Sequence, residues 1–251
     1  MPNLVAHIGF GLDCIGLEED VVFTENLGAF LLGCCSPDIR IVTKMSRDTT
    51  HFSPISNDVI GTGTHNLFSQ HPILANKNLL NPETRSFLAG YILHLVADET
   101  WIITMYRPFF GNKNIFSDKI TANIMDRAMQ LDMDKETHLS HQDFNIYVNK
   151  LSENYDEINI DFISNEAFQE FTDRIKQVFS NSFDWNRLLF MTKRQYPDKD
   201  SEIADTVAKD FINNIPISLT NLYEKVPKSY IDNYRKNIMI NWQSLVKEYL
   251  L

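Results

Sequence analysis

The sequence predicts an all-α protein, a multi-helix bundle built around one long buried central helix at about residues 82–106. Three observations carry this. Apolar residues recur at helical spacing in segment after segment, with no sustained strand-like alternation. The segment following Asn81-Pro82-Glu83 is apolar on most of its faces, as expected for the centre of a domain. All nine glycines lie within the first 111 positions, and the glycine-free remainder reads as helical scaffold.

Leu4 to Leu17 has helical spacing. Thr24 is a candidate cap for a second helix, which runs to about Cys35 and stops before Ser36-Pro37. Residues 38–57 read as loop with short helical pieces, and a helix covers part of 58–70. Asn81 and Pro82 form a strong start signal, an N-cap with proline in the first turn. Pro108 and Gly111 stop the central helix. Helical spacing then returns at 115–133, 140–153, 164–181, 183–194, 200–222 and 228–250, with Ser140 and Asp200 as candidate caps and Pro216 as an interruption. Ile158 to Phe162 alternates briefly, but one short strand has nothing to pair with. The expectation is a single domain over 1–251, with the chemistry in 1–111 and a helical scaffold or cover in 112–251.

Composition sets further limits. The chain has 251 residues, is 43% hydrophobic and 22% charged, and carries a formal charge of −10. These values argue against disorder, and the acidic balance argues against a duplex nucleic-acid partner. Cys34 and Cys35 are adjacent and the third cysteine is Cys14, which is no disulfide framework. No signal-peptide pattern follows Met1, and no apolar run is long enough for a transmembrane segment. A cytoplasmic location is expected.

Five of the seven histidines lie in the first 94 positions. His94 and Asp98 stand four apart in the central helix and so share a face. A buried aspartate must be paired, hydrogen-bonded or metal-bound. A simple His–Asp hydrogen bond and a metal site both satisfy that requirement. Asp38 follows a helix end in Gly33-Cys34-Cys35-Ser36-Pro37-Asp38, His51 lies in Thr50-His51-Phe52, and His7 sits in the apolar first helix.

Taken together, His7, Gly33-x-x-x-Pro37-Asp38, Thr50-His51-Phe52 and Phe87-x-x-Gly90-x-x-x-His94-x-x-x-Asp98 resemble the zinc-dependent phospholipase C family. More distantly they resemble the single-strand nucleases of the same superfamily. The resemblance covers about residues 1–110. It implies a mostly helical fold, one zinc ion held by Asp38, His51, His94 and Asp98, and a second ion bridged by Asp98. His7 and the amine of a mature N-terminal Pro2 would complete that second site. It also implies a phosphoester substrate, either a small molecule or a lipid. Iron, manganese or nickel would suit the same donors.

The chain departs from the family where a third ion would bind. Thr104 replaces a histidine six residues past Asp98, and His138 and His141 are followed four residues on by Gln142 and Asn145 rather than by carboxylates. One or two ions are therefore expected. Asp38 is the candidate general base. Glu99 points about 100° away from Asp98 around the helix and receives no role. Trp101 is a pocket wall, a donor behind the site, or core packing. His65 and His71 are surface or cap histidines, with His65 a remote third-site candidate. Tyr106, Phe109 and Phe110 form either an apolar mouth or the end of the core. The functional expectation is a metal-dependent phosphoester hydrolase. The alternative is a metal-stabilised helical binding protein with a degenerate site.

Overall fold

The computed structural model describes residues 1–15, 22–141, 144–151, 155–179 and 182–251. Among these the fold is all-α, with no strand. The helices in order are α1 (Leu4–Cys14), α2 (Val22–Glu25), α3 (Leu27–Cys35), α4 (Arg40–Thr43), α5 (Arg47–His51), α6 (Thr62–Gln70), α7 (Pro82–Trp101) and α8 (Lys119–Ser140). They continue with α9 (Phe144–Lys150), α10 (Asn165–Phe179), α11 (Arg187–Gln195), α12 (Ser201–Asn213), α13 (Ile217–Lys225) and α14 (Lys228–Tyr249).

The central helix α7 starts as the sequence predicts, with the Asn81 side chain accepting from Thr84 N at 2.9 Å. It is buried without a break from Ser86 to Trp101. The chain then winds on as a π-helix over Ile102–Phe110, which carries it past Pro108 to Gly111. Helix α3 crosses α7 at two glycines. A Cβ on Gly33 would strike the carbonyl of Phe87, and one on Gly90 would strike the carbonyl of Phe30. This backbone-to-backbone approach brings the C-terminal end of α3, and with it Asp38, beside His94.

Helix α14 covers another side of α7. Its buried Ile231, Tyr234, Ile238, Trp242 and Leu245 follow helical spacing. Trp242 Nε1 donates to Ala89 O at 2.9 Å, and the Tyr234 hydroxyl to Ala97 O at 3.2 Å. Tyr106 donates to Asn123 Oδ1, Phe109 packs on Tyr230, and Phe110 stacks on Phe116, so this aromatic group closes the end of the core.

Several boundaries differ from expectation. Helix α1 ends at Cys14 because Ile15 turns to extended backbone. Thr24 lies inside the single turn α2, and Asn26 takes the position before α3. Helix α8 begins later than 115 and runs on to Ser140. Its start is fixed by Asp118, whose carboxylate accepts from Thr121 N at 2.7 Å. Ser140 therefore ends a helix instead of capping one. The 200–222 segment divides into α12 and α13 ahead of Pro216, and Asp200 precedes α12 without a side-chain capping bond. Ile158 to Phe162 forms no strand.

Candidate metal centre

Helix α7 supplies His94 and Asp98, fully enclosed at 0% and 2% exposure. Helix α1 brings in His7, the short 3-10 turn Ser36–Ile39 brings Asp38, and α5 ends on His51. His7 and His51 are each 1% exposed, whereas Asp38 is 25% exposed and lies at the rim. Ligating atoms of His7, His94 and Asp98 lie within 4.8 Å of one another, and so do those of Asp38, His51 and His94.

The two oxygens of Asp98 face different neighbours. Oδ1 lies 3.5 Å from His7 Nε2. Oδ2 lies 3.2 Å from His51 Nε2 and 3.8 Å from His94 Nε2. His51 Nε2 is in turn 3.9 Å from Asp38 Oδ1. The His7 and His94 rings stack with centroids 3.8 Å apart.

Backbone contacts set the imidazole orientations. His94 Nδ1 faces the carbonyl of Cys34 at 2.8 Å, so that nitrogen carries the proton and Nε2 presents a lone pair to the pocket. His51 Nδ1 lies 3.0 Å from the Thr50 hydroxyl, which itself donates to Arg47 O at 3.3 Å. The Thr50 hydroxyl therefore accepts from His51 Nδ1, leaving Nε2 free. The Tyr91 hydroxyl donates to Thr50 O and ties α5 to α7. Phe52, directly after His51, sits at φ 54°, a conformation costly for a bulky residue. It is held by Phe52 N donating to Asp48 O and by Asn66 Nδ2 donating to Phe52 O at 2.8 Å.

The electrostatics follow from enclosure. Burial, reinforced by neighbouring His7, pushes the His94 imidazole well below its usual pKa, so it is neutral at pH 7. Burial also pushes the Asp98 carboxyl up. The facing His51 and His7, with His94 and Arg47, outweigh this and hold it well below the usual carboxylate range. The Met1 amine is lowered to about 6 by burial, against the pull of Asp126.

His7 Nδ1 and Nε2, His51 Nε2, His94 Nε2 and Asp98 Oδ1 are all buried with no hydrogen-bond partner. Buried polar atoms are normally satisfied, and these orphaned atoms converging on one carboxylate are ones that a bound cation could satisfy. Two ligands on a tetrahedral zinc stand about 3.3 Å apart when each bond is about 2.0–2.1 Å. The 3.2 to 3.9 Å separations are close to that spacing. The donor set fits zinc.

Other sequence candidates lie elsewhere. His65 Nδ1 pairs with the Tyr249 hydroxyl at 2.7 Å, His71 Nδ1 with Asp161 at 2.8 Å, and His141 Nε2 with Asp13 at 3.6 Å. Burial lowers the pKa of His138, on the last turns of α8. Gln142 and the Asn145 side chain lie outside the described residues. The Thr104 hydroxyl donates to Thr100 O at 2.7 Å within its own helix. Trp101 is fully buried and donates to Asp126 Oδ1 at 2.9 Å.

Two residues have roles that the sequence reading missed. Glu99 accepts from Gly61 N at 2.6 Å and Gly63 N at 2.7 Å, anchoring the start of α6 against the carbonyl of His51. The Gly61-x-Gly63 pair was the available signal, since bare backbone amides there suit a carboxylate. Arg47 places Nη2 3.1 Å from Asp98 Oδ2. Nothing in its spacing marks it apart from Arg40 and Lys44 beside it.

Among the described residues, no helix is long and apolar enough to cross a membrane. A family model described as zinc dependent phospholipase C matches residues 5–201 of the chain. The match therefore runs well past the segment that holds the motifs. No curated protein and no solved structure matches the chain.

Proposed function

The chain belongs to the zinc-dependent phospholipase C family, and from that premise we propose that it is a zinc-dependent hydrolase of phosphoesters, with a lipid or small-molecule phosphodiester as substrate. Asp38, His51, His94 and Asp98 would hold one ion. Asp98 through its other oxygen, with His7, would hold a second. The observation that carries this reading is the convergence of orphaned His7, His51, His94 and Asp98 atoms in one buried pocket.

When bound, zinc supplies Lewis acidity toward a phosphoryl oxygen and toward water. The protein's own groups do the rest. The imidazoles of His7, His51 and His94 would supply nitrogen donors, with His94 held neutral by burial and fixed by the Cys34 carbonyl. Asp98 contributes the negative charge that a cation needs in an enclosed site. Asp38, the most exposed of the five, orients a water at the rim and takes its proton. Burial of the remaining four keeps bulk water away from the charges and strengthens their interactions. The three cysteines are buried and none forms a disulfide, which suits the reducing cytoplasm in which we place the protein.

A second reading is a metal-stabilised binding protein without turnover. Thr104, turned to its own helix backbone, favours it by leaving a third ion no ligand there. Asp38→Asn separates the two. Hydrolysis of a chromogenic phosphodiester by zinc-loaded protein, abolished by chelator and by this variant, supports the enzyme. Zinc binding that raises the melting temperature with no hydrolysis across a phosphodiester panel supports the binding protein.

A further inference from the structure

Arg47 stands inside the pocket with its binding capacity largely unused. It begins α5, on the same short helix that ends in His51. Its side chain is 11% exposed, and one N–H, on Nη2, is spent on Asp98. Its Nε and Nη1 are buried and have no hydrogen-bond partner. A guanidinium carries five N–H donors and a permanent charge, so most of its donors have no protein partner although they are buried. A counter-ion to Asp98 needs only a point charge, which a lysine would supply. Free planar donors beside a cation site are what a tetrahedral oxyanion requires.

We propose that Arg47 binds the phosphoryl group of the substrate, its free N–H groups donating to non-bridging oxygens while Nη2 keeps its contact with Asp98. This rests on the phosphoester reading above and deepens it. Arg47 is then a residue of the substrate site and not a ligand or a structural ion pair.

The test uses inorganic phosphate as probe, with the full chain in zinc-loaded and metal-free forms. Phosphate affinity and zinc affinity are measured separately for wild type, Arg47→Gln and Arg47→Lys. The expected result for Arg47→Gln is roughly a tenfold or greater loss of phosphate affinity, with zinc affinity held or improved because Asp98 loses a competitor. Arg47→Lys should fall between. In wild type, an arginine Nε resonance absent from Arg47→Lys should shift on adding phosphate, and this arm stands even if Arg47→Gln does not fold. Unchanged phosphate affinity in Arg47→Gln, whether zinc binding is unchanged or tighter, would overturn the proposal and leave Arg47 a counter-ion. Failure of the chain to take up zinc would instead sink the hydrolase reading. The Nε response to phosphate in metal-free protein then decides Arg47 alone, a shift supporting the proposal and no shift overturning it.

Discussion

Gly90→Ala tests whether the crossing of α3 and α7 builds the site. A Cβ at Gly90 would fall on Phe30 O, 2.8 Å from Cys34 N and 2.9 Å from Phe30 C. These are backbone atoms, so no rotamer change relieves the clash. The helices must part by about 1.5 Å to bring the 1.9 Å approach to Phe30 O out to ordinary contact, and a gap of that size forfeits about half or more of the dispersion energy across it. Phe30, Leu31, Phe87 and Tyr91 are fully buried in α3 and α7. The expected cost of opening that seam is on the order of 4 kcal/mol, less about 1 kcal/mol returned by the better helix propensity of alanine. Gly9→Ala is the control. It gains the same propensity, and its Cβ meets Thr137 Cγ2 at 2.6 Å and Oγ1 at 2.9 Å, side-chain atoms that can move. Urea denaturation should show the Gly90→Ala midpoint about 1 M below wild type, with Gly9→Ala close to wild type. Zinc affinity should fall in Gly90→Ala as well, because the His94–Cys34 hydrogen bond crosses the same seam. Midpoints for the two variants within about 0.3 M of each other would refute the reasoning.

Three further substitutions probe other parts. Asp134, fully buried, has its pKa raised from 3.8 to about 7 by burial, against Arg187 and Asn3. A raised carboxyl pKa means the folded state binds more protons than the unfolded between those values, so stability is present below about pH 4 and lost as pH rises to 7. Asp134→Asn should remove a few kcal/mol of that loss, raising the melting temperature at pH 7 by roughly 5–10 °C with little change at pH 4; parallel curves for the two proteins would refute it. Glu99→Ala strips the acceptor from Gly61 N and Gly63 N and should cost about 3 kcal/mol, with weaker zinc binding through displaced His51; calorimetry with and without zinc checks both. Asp38→Asn, at a rim position, should keep stability within about 1 kcal/mol while kcat drops by about 10²–10⁴, and a kcat equal to wild type would remove Asp38 as the base.

Much of the site was legible because its elements have local signatures. His94 and Asp98 share a helix face by spacing alone. Gly33 and Gly90 stood in the motifs with no task given to them, and the structure shows each facing the other's helix. The Asn81-Pro82 start survives because a capping bond is made within a few residues. What stayed hidden depends on tertiary neighbours. Arg47 reads as one cation among Arg40 and Lys44 until the fold turns it onto Asp98. Glu99 was placed off the metal face, but its task depends on amides from a segment nearly forty residues earlier. Of the two stop signals, Gly111 ends the helical run as expected, whereas Pro108 is carried inside the π-helix that follows α7. The Trp101 choice between core and donor has both answers, since the ring is buried and its N–H serves Asp126.

The most direct test of the central claim is zinc content per chain, measured by elemental mass spectrometry on zinc-loaded, buffer-exchanged wild type beside His94→Ala. His94 belongs to both ligand groups. The expected result is one or two ions per wild-type chain and a clear loss in the variant, with the variant still folded by circular dichroism. Wild type without zinc, or a folded His94→Ala that keeps the full complement, would contradict the assignment of this pocket as the metal centre.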